Sequence, residues 1–156
     1  MVQVLLELVE SLEATEVFTS WKTSECVLSH LFVPLSSTYE TKSAWEVGYY
    51  LTNTQKVTTF MKNESWSIKE QDQPIAQTNT EEKITPLVIS EVHVSFDDAL
   101  VKIKELIAKE FPTSAGILGD GFCILQHFKK GIVWNVSFIT KKLTMINIKI
   151  SAVSAE

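Results

Sequence analysis

The sequence predicts an α+β fold made of two α-β-β-β units, each with a helix packed across an antiparallel sheet. Three observations lead there. An amphipathic stripe with helical spacing opens each half of the chain. Each stripe is followed by β-branched and aromatic runs of strand length. Four short landmarks then recur in the same order in both halves.

The elements follow in chain order. Val2, Leu5, Leu6, Val9 and Leu12 share one helical face, which predicts a helix over 2–13. Thr15 can cap a second short turn carrying Val17, Phe18 and Trp21. Cys26 to Val33 reads as a strand, closed by a loop from Pro34 to Ser43. Trp45 to Thr52 and Lys56 to Met61 are the next two strands, with Asn53-Thr54 as the turn between them. From Lys69 to Lys83 the composition becomes polar and poor in core residues, as in a linker. Leu87 to Val94 reads as a short edge strand. Ser95 is a good N-cap, and Asp97 and Asp98 suit the positive end of a helix dipole. Ala99, Leu100, Ile103, Leu106 and Ile107 form that helix's apolar face, and Pro112 ends it. Gly116 to Gly121 reads as a turn, followed by strands over 122–129, 132–140 and 143–151.

The repeat is carried by four pairs of segments. Leu6-Glu7-Leu8-Val9 resembles Lys104-Glu105-Leu106-Ile107, and Cys26-Val27-Leu28-Ser29-His30 resembles Cys123-Ile124-Leu125-Gln126-His127. Trp45-Glu46-Val47-Gly48-Tyr49 matches Trp134-Asn135-Val136-Ser137-Phe138. Val57-Thr58-Thr59-Phe60 matches Met145-Ile146-Asn147-Ile148 in character. The copies are spaced more closely at the last two landmarks, which a longer Leu35 to Ser43 loop in the first copy explains at small closure cost. The chain therefore divides into a first repeat (1–68), a linker with an edge strand (69–94) and a second repeat (95–156).

A helix followed by a three-stranded meander, with Trp-x-Val opening the middle strand, resembles the PepSY family, the module of peptidase propeptides and YpeB-type proteins. The resemblance is best in the second copy, through Val-Trp-Asn-Val-Ser-Phe, a turn and Met-Ile-Asn-Ile-Lys-Ile. Ser151-Ala152-Val153-Ser154-Ala155 stands where that family usually closes on an Asp-Ala-x-Thr-Gly-like turn. The first copy is more diverged and is similar to short archaeal PepSY-like proteins without a leader. The resemblance implies a cystatin-like helix on a sheet and a non-catalytic, protein-contacting role, with no catalytic residue to carry over.

Composition narrows the function classes. At 156 residues and 45% hydrophobic, with four Trp, eight Phe and three Tyr, the chain can bury a core without metal or disulfide staples. The net charge is −5, and all 14 basic residues are lysines. Without arginine there is no bidentate fork for base edges or phosphates, so nucleic acid is not an expected partner. Lys129-Lys130 and Lys141-Lys142 read as solvated turns. Cys26 and Cys123 lack metal-ligand spacing and read as two reduced core cysteines, with a long-range disulfide as the alternative. No run of residues approaches a membrane span, and Met1 to Leu12 lacks a signal peptide's basic start. The expectation is a cytoplasmic protein with no membrane partner.

The chemistry-bearing residues also have plainer roles. Cys26 with His30, and Cys123 with His127, fall at i and i+4. On a strand this puts both side chains on one face but ~13 Å apart, too far to touch within one copy. Trp45, Trp66 and Trp134 are the candidate ligand or partner contacts. For Trp45 and Trp134 the plainer role is to plug the gap between helix and sheet. Gly116 to Gly121 lacks the Gly-Lys-Ser/Thr ending of a phosphate loop. Asp97-Asp98 and Glu81-Glu82 are explained by a helix start and by solvent, and Asn63-Glu64-Ser65 and Asn135-Val136-Ser137 as incidental glycosylation matches. The expected function is a non-enzymatic protein-interaction or regulatory module without cofactor or metal, with a protein partner or a second copy. The alternative is a carrier of a small apolar ligand between helix and sheet.

Overall fold

In the computed structural model, residues 2–22, 25–52, 56–62, 64–74, 86–128 and 131–153 are described. They form three α-helices and a seven-stranded sheet in the order β4-β3-β2-β1-β5-β6-β7. The helices are α1 (Val2–Glu13), α2 (Glu16–Trp21) and α3 (Phe96–Glu110). The strands are β1 (Cys26–Leu35), β2 (Glu46–Leu51), β3 (Lys56–Lys62), β4 (Trp66–Pro74), β5 (Leu118–Phe128), β6 (Gly131–Thr140) and β7 (Met145–Ser151). Every strand pair is antiparallel.

Both long helices start where their apolar stripes begin. Leu5, Val9 and Leu12 of α1 are buried, and Ala99, Ile103 and Ile107 form the buried seam of α3. Leu100 and Leu106 pack at the margin of that seam. The caps are those the sequence implies: Ser95 Oγ accepts from the Asp98 backbone N–H at 3.1 Å. Thr15 Oγ1 accepts from Phe18 N–H at 3.2 Å. Each cap satisfies one of the orphan donors of a first helical turn.

The middle of the sheet is a ladder between β1 and β5, running from His30↔Gln126 to Leu35↔Gly121. From there β1-β2-β3-β4 and β5-β6-β7 each step outward as antiparallel neighbours. Strand parity then assigns the faces. Leu31 opposes both Leu125 and Val47, and Cys123 opposes Val136, so these residues point to one side. Tyr49, Phe60, Trp134 and Phe138 lie on that side and are fully or almost fully buried. It is the side on which α1, α2 and α3 pack.

Two aromatic clusters fill this side. Phe18 and Trp21 of α2 pack on Tyr49 and Phe60 at centroid distances of 4.9–6.0 Å. Trp45, Phe96 and Trp134 form the second cluster at 5.0–6.4 Å and tie the start of β2 to the start of α3. Tyr49 Oη donates to Glu13 Oε2 at 2.6 Å, fastening the end of α1 to β2.

Three segments depart from the sequence reading. Trp66–Pro74 is an edge strand, so the linker expected from Lys69 onward begins in strand. Its polar composition is that of a solvated edge, where a low apolar content does not exclude pairing. The remainder of that linker, 75–85, lies outside the described residues, as do Asn53-Thr54 and Lys129-Lys130. Leu87–Val94 is not a strand. It runs irregularly through a short 3₁₀ turn at Ile89–Glu91, burying Leu87, Ile89, Val92 and Val94. Its backbone is satisfied piecemeal, by Leu87 N–H to Leu28 O at 2.8 Å and by His93 and Val94 N–H to Ala152 O.

The third departure is Gly116–Gly121. Only Ala115–Ile117 is a turn, and β5 begins at Leu118. A Cβ at Gly121 would collide with Ser137 O, and one at Gly119 would crowd Ile139 O. These glycines therefore serve close backbone approach beside an irregular register, not a reversal of the chain.

One turn geometry occurs twice. In Ser36–Glu40 and in Thr140–Thr144 the first N–H donates to the fifth carbonyl, and the fourth N–H to the first carbonyl. The first hydroxyl of each accepts from the third and fifth N–H groups at 3.2–3.3 Å. The fourth residue is left-handed in both: Tyr39 at φ 69° and Leu143 at φ 65°. That conformation costs a side chain with a Cβ about 1 kcal/mol. Tyr39 packs its ring on Phe138 at 4.9 Å with Lys104 Nζ 5.8 Å from its centroid, which offsets the cost. Leu143 is 86% exposed and gains no such packing.

Truncating Ile103 to Ala is expected to cost about 2–5 kcal/mol of unfolding free energy, and Leu106→Ala clearly less. Urea unfolding of both variants measures this. Equal losses would contradict the seam assigned to α3.

Candidate functional site

The face of the sheet opposite the helices is the candidate site. Among the described residues no helix covers it. Glu46, Gly48 and Tyr50 of β2, His30 and Phe32 of β1, and Phe122, Ile124 and Gln126 of β5 point there by alternation with their core neighbours. Most are half-buried by one another rather than by a second layer.

A row crosses four strands at its centre: Thr59, Gly48, His30 and Gln126 are successive ladder partners. The His30 ring lies over Gly48, where any Cβ would collide with it. Glycine at 48 is thus the space into which the imidazole folds. His30 Nδ1 lies 3.1 Å from Ser29 Oγ. The Thr59 hydroxyl beside it is buried and has no hydrogen-bond partner among the described residues. Burial holds the His30 pKa down at about 4, so the ring is neutral at physiological pH.

The rest of the face mixes aromatic side chains with polar ones and carries few charges. Phe32 and Phe122 stack at 5.6 Å across the β1–β5 junction. Glu46 is buried and receives Lys69 Nζ at 2.6 Å. Lys149 Nζ sits 5.0 Å over the Phe128 ring. Asn147 Nδ2 donates to Asn135 Oδ1 and Ser137 Oγ, which occupies the one glycosylation match that is described in full.

The tryptophans singled out by sequence lie on the other side. Trp134 is completely buried, with Nε1 donating to Val94 O at 2.9 Å. Trp66 is buried with Nε1 donating to Ser11 Oγ of α1 at 3.3 Å. Trp45 is half-buried against Phe96 and Trp134. The structure brings Trp45 and Trp134 together and keeps Trp66 apart, packed with α1.

The two Cys/His pairs do not occupy matching places. A register irregularity between Leu28 and His30 rotates the strand, so Cys26 packs on the helix side while His30 faces the open side. The second ladder runs without interruption from Gly121 to Phe128, keeping Cys123 and His127 on the helix side. Val47 opposes Leu31, whereas Val136 opposes Cys123. If the two Trp-x-Val segments correspond, the counterpart of Cys123 is Leu31, not Cys26. Both thiols are free, and burial pushes both pKa values up, that of the fully buried Cys123 far more. A raised thiol pKa is the reverse of what a nucleophilic cysteine needs.

Sequence reasoning missed the row at His30. The signal it offered was Gly48 within a strand-like run, since a strand glycine marks a close approach. No cluster of His, Cys, Asp and Glu among the described residues could hold a metal. No helix among them is long and apolar enough to cross a membrane. Comparison with protein-family models, curated proteins and solved structures gave no match.

Two outcomes test this geometry. The folded protein protonates His30 only near pH 4, whereas the unfolded chain does so near 6.5. The stabilisation is therefore complete above 6.5 and is lost as pH falls from 6.5 towards 4, by about 3 kcal/mol at most. His30→Gln should remove that part of the acid sensitivity in urea titrations; an unchanged pH profile would refute the buried neutral ring. Gly48→Ala is expected to cost about 1–3 kcal/mol. Adding His30→Ala should recover at least ~1 kcal/mol of that loss; additive losses would mean that the ring does not occupy the glycine's space.

Proposed function

We propose that the protein is a non-enzymatic protein-contact module of PepSY-like design, which associates through the open face of its sheet. The observation that carries this reading is that face itself: a continuous surface of aromatic and polar side chains, with few charges and no covering layer among the described residues. Seven strands ~4.8 Å apart and 6 to 11 residues long make a surface of at least roughly 30 by 20 Å, or ~600 Å². A standard interface buries ~800 Å² per partner, so the face with its rim has the necessary size. Its charges are either paired, as Glu46 with Lys69, or stacked, as Lys149 on Phe128, which suits an equally uncharged partner. A second copy of the chain meets that condition, with the two sheets packed face to face.

Two further points support the reading. Both cysteine thiols are held protonated, and Ser29–His30 lacks a third group to orient the imidazole among the described residues. The interior near Trp45 and Trp134 is occupied by the rings themselves, which favours a module over the carrier of an apolar ligand. The duplicated α-β-β-β design is part of the same proposal. It is supported by the way β1-β2-β3 and β5-β6-β7 step outward from a central antiparallel pair. α2 and β4 belong to the first half alone.

Sedimentation equilibrium over a range of concentrations tests it. Dimerisation is the expected result, and Phe32→Asp should weaken it at least tenfold while leaving the far-UV circular dichroism unchanged. A wild-type chain that remains monomeric at the highest concentration would remove the second copy as the occupant.

A further inference from the structure

From the turn that joins β6 to β7 we infer a second contact site, a prong that docks on an anionic lipid surface. Leu143 and Met145 are the most exposed large hydrophobic side chains among the described residues, at 86% and 61%. Ile139, 45% exposed, is the ladder partner of Met145 at the base of the turn. Among the described residues nothing covers the Leu143 side chain at the apex.

Ser36–Glu40 is the counterpart of this turn within the same sheet. The two turns share their backbone hydrogen bonds, their capping hydroxyl and a left-handed fourth residue. Where Tyr39 is compensated by Phe138 and Lys104, Leu143 is held in the same unfavourable conformation with its side chain in water. Glycine or asparagine would fit the position better. A rigid turn that presents a leucine at an energetic cost is suited to place that side chain in an apolar medium outside the protein.

The charges nearby indicate which medium. Lys141 and Lys142 immediately precede Leu143 and are exposed, and no acid occurs from Ile139 to Ile146. On the neighbouring strand, Asp120 is paired with Lys42 at 2.9 Å. The tip is therefore locally positive on a chain of net charge −5. At physiological ionic strength screening acts over ~8 Å, so the local lysines rather than the overall charge govern an approach by the tip. Apolar side chains at a convex apex beside two lysines fit an anionic bilayer, in which leucine and methionine enter the acyl boundary and the ammonium groups remain among the headgroups. A spanning helix is not needed for such peripheral contact. The tip lies at the β6–β7 rim of the open face, away from Phe32 at its centre, so Phe32→Asp distinguishes lipid docking from self-association.

Co-sedimentation of the intact protein with phosphatidylcholine vesicles, with and without phosphatidylserine, tests the proposal. Binding only to vesicles containing phosphatidylserine, weakened by added salt, is expected. Lys141→Gln with Lys142→Gln should lower partitioning roughly 25-fold, about fivefold for each lysine. Leu143→Asn should lower it about tenfold while the thermal midpoint stays level or rises, because asparagine tolerates the left-handed conformation. That combination separates a docking role from a structural one. Phe32→Asp should leave vesicle binding unchanged. Absence of binding to the anionic vesicles at low salt would overturn the inference, as would binding that survives all three tip substitutions. If the wild type ignores vesicles but Leu143→Asn dissolves a defined protein complex, the tip's partner is a protein and the lipid assignment is wrong.

Discussion

The antiparallel ladder between β1 and β5 is the constraint on which the rest of the molecule depends. It joins two groups of strands that would otherwise each present an unpaired central edge. It also couples their faces. With Leu31 opposite Leu125 and Val33 opposite Cys123, the apolar sides of both halves must point the same way. The helices of both halves are therefore gathered on one side of a single sheet, and the other side is left as a continuous surface. A slip of one residue in this ladder would turn one half's core outward.

The two faces manage their polar groups differently. On the helix side three aromatic polar groups have partners: Tyr49 donates to Glu13, Trp134 to Val94 O and Trp66 to Ser11. These bonds tie helix or connecting segment to strand at points where the apolar contact alone would permit sliding. On the open side His30 is neutral over Gly48, and the Thr59 hydroxyl has no protein partner among the described residues. Such an uncompensated group is uncommon in a settled interior.

The twice-used turn illustrates how context decides the meaning of a local conformation. A left-handed Tyr39 is part of the fold because Phe138 and Lys104 hold it. The same conformation at Leu143 has no such support, and its apolar side chain projects beyond the sheet. Backbone geometry is equal in the two places, while the balance of cost and contact is not.

Local and periodic information determined much of this protein before any tertiary contact was considered. Helix spans, the Ser95 and Thr15 caps and the approximate positions of six strands were legible because they depend on neighbours within a few residues. Polar Trp66–Pro74 misled because an edge strand needs only half its side chains buried, and Leu87–Val94 misled because its apolar residues fill a gap between elements rather than line a ladder. The Gly-rich stretch before β5 read as a turn although its glycines admit the neighbouring backbone. Register, the bulge that sends His30 to the opposite face from Cys26, and the pocket that Gly48 leaves for an imidazole belong to the tertiary structure alone. They arise from pairings between residues far apart in the chain, and a strand's own sequence does not state which partner it will meet.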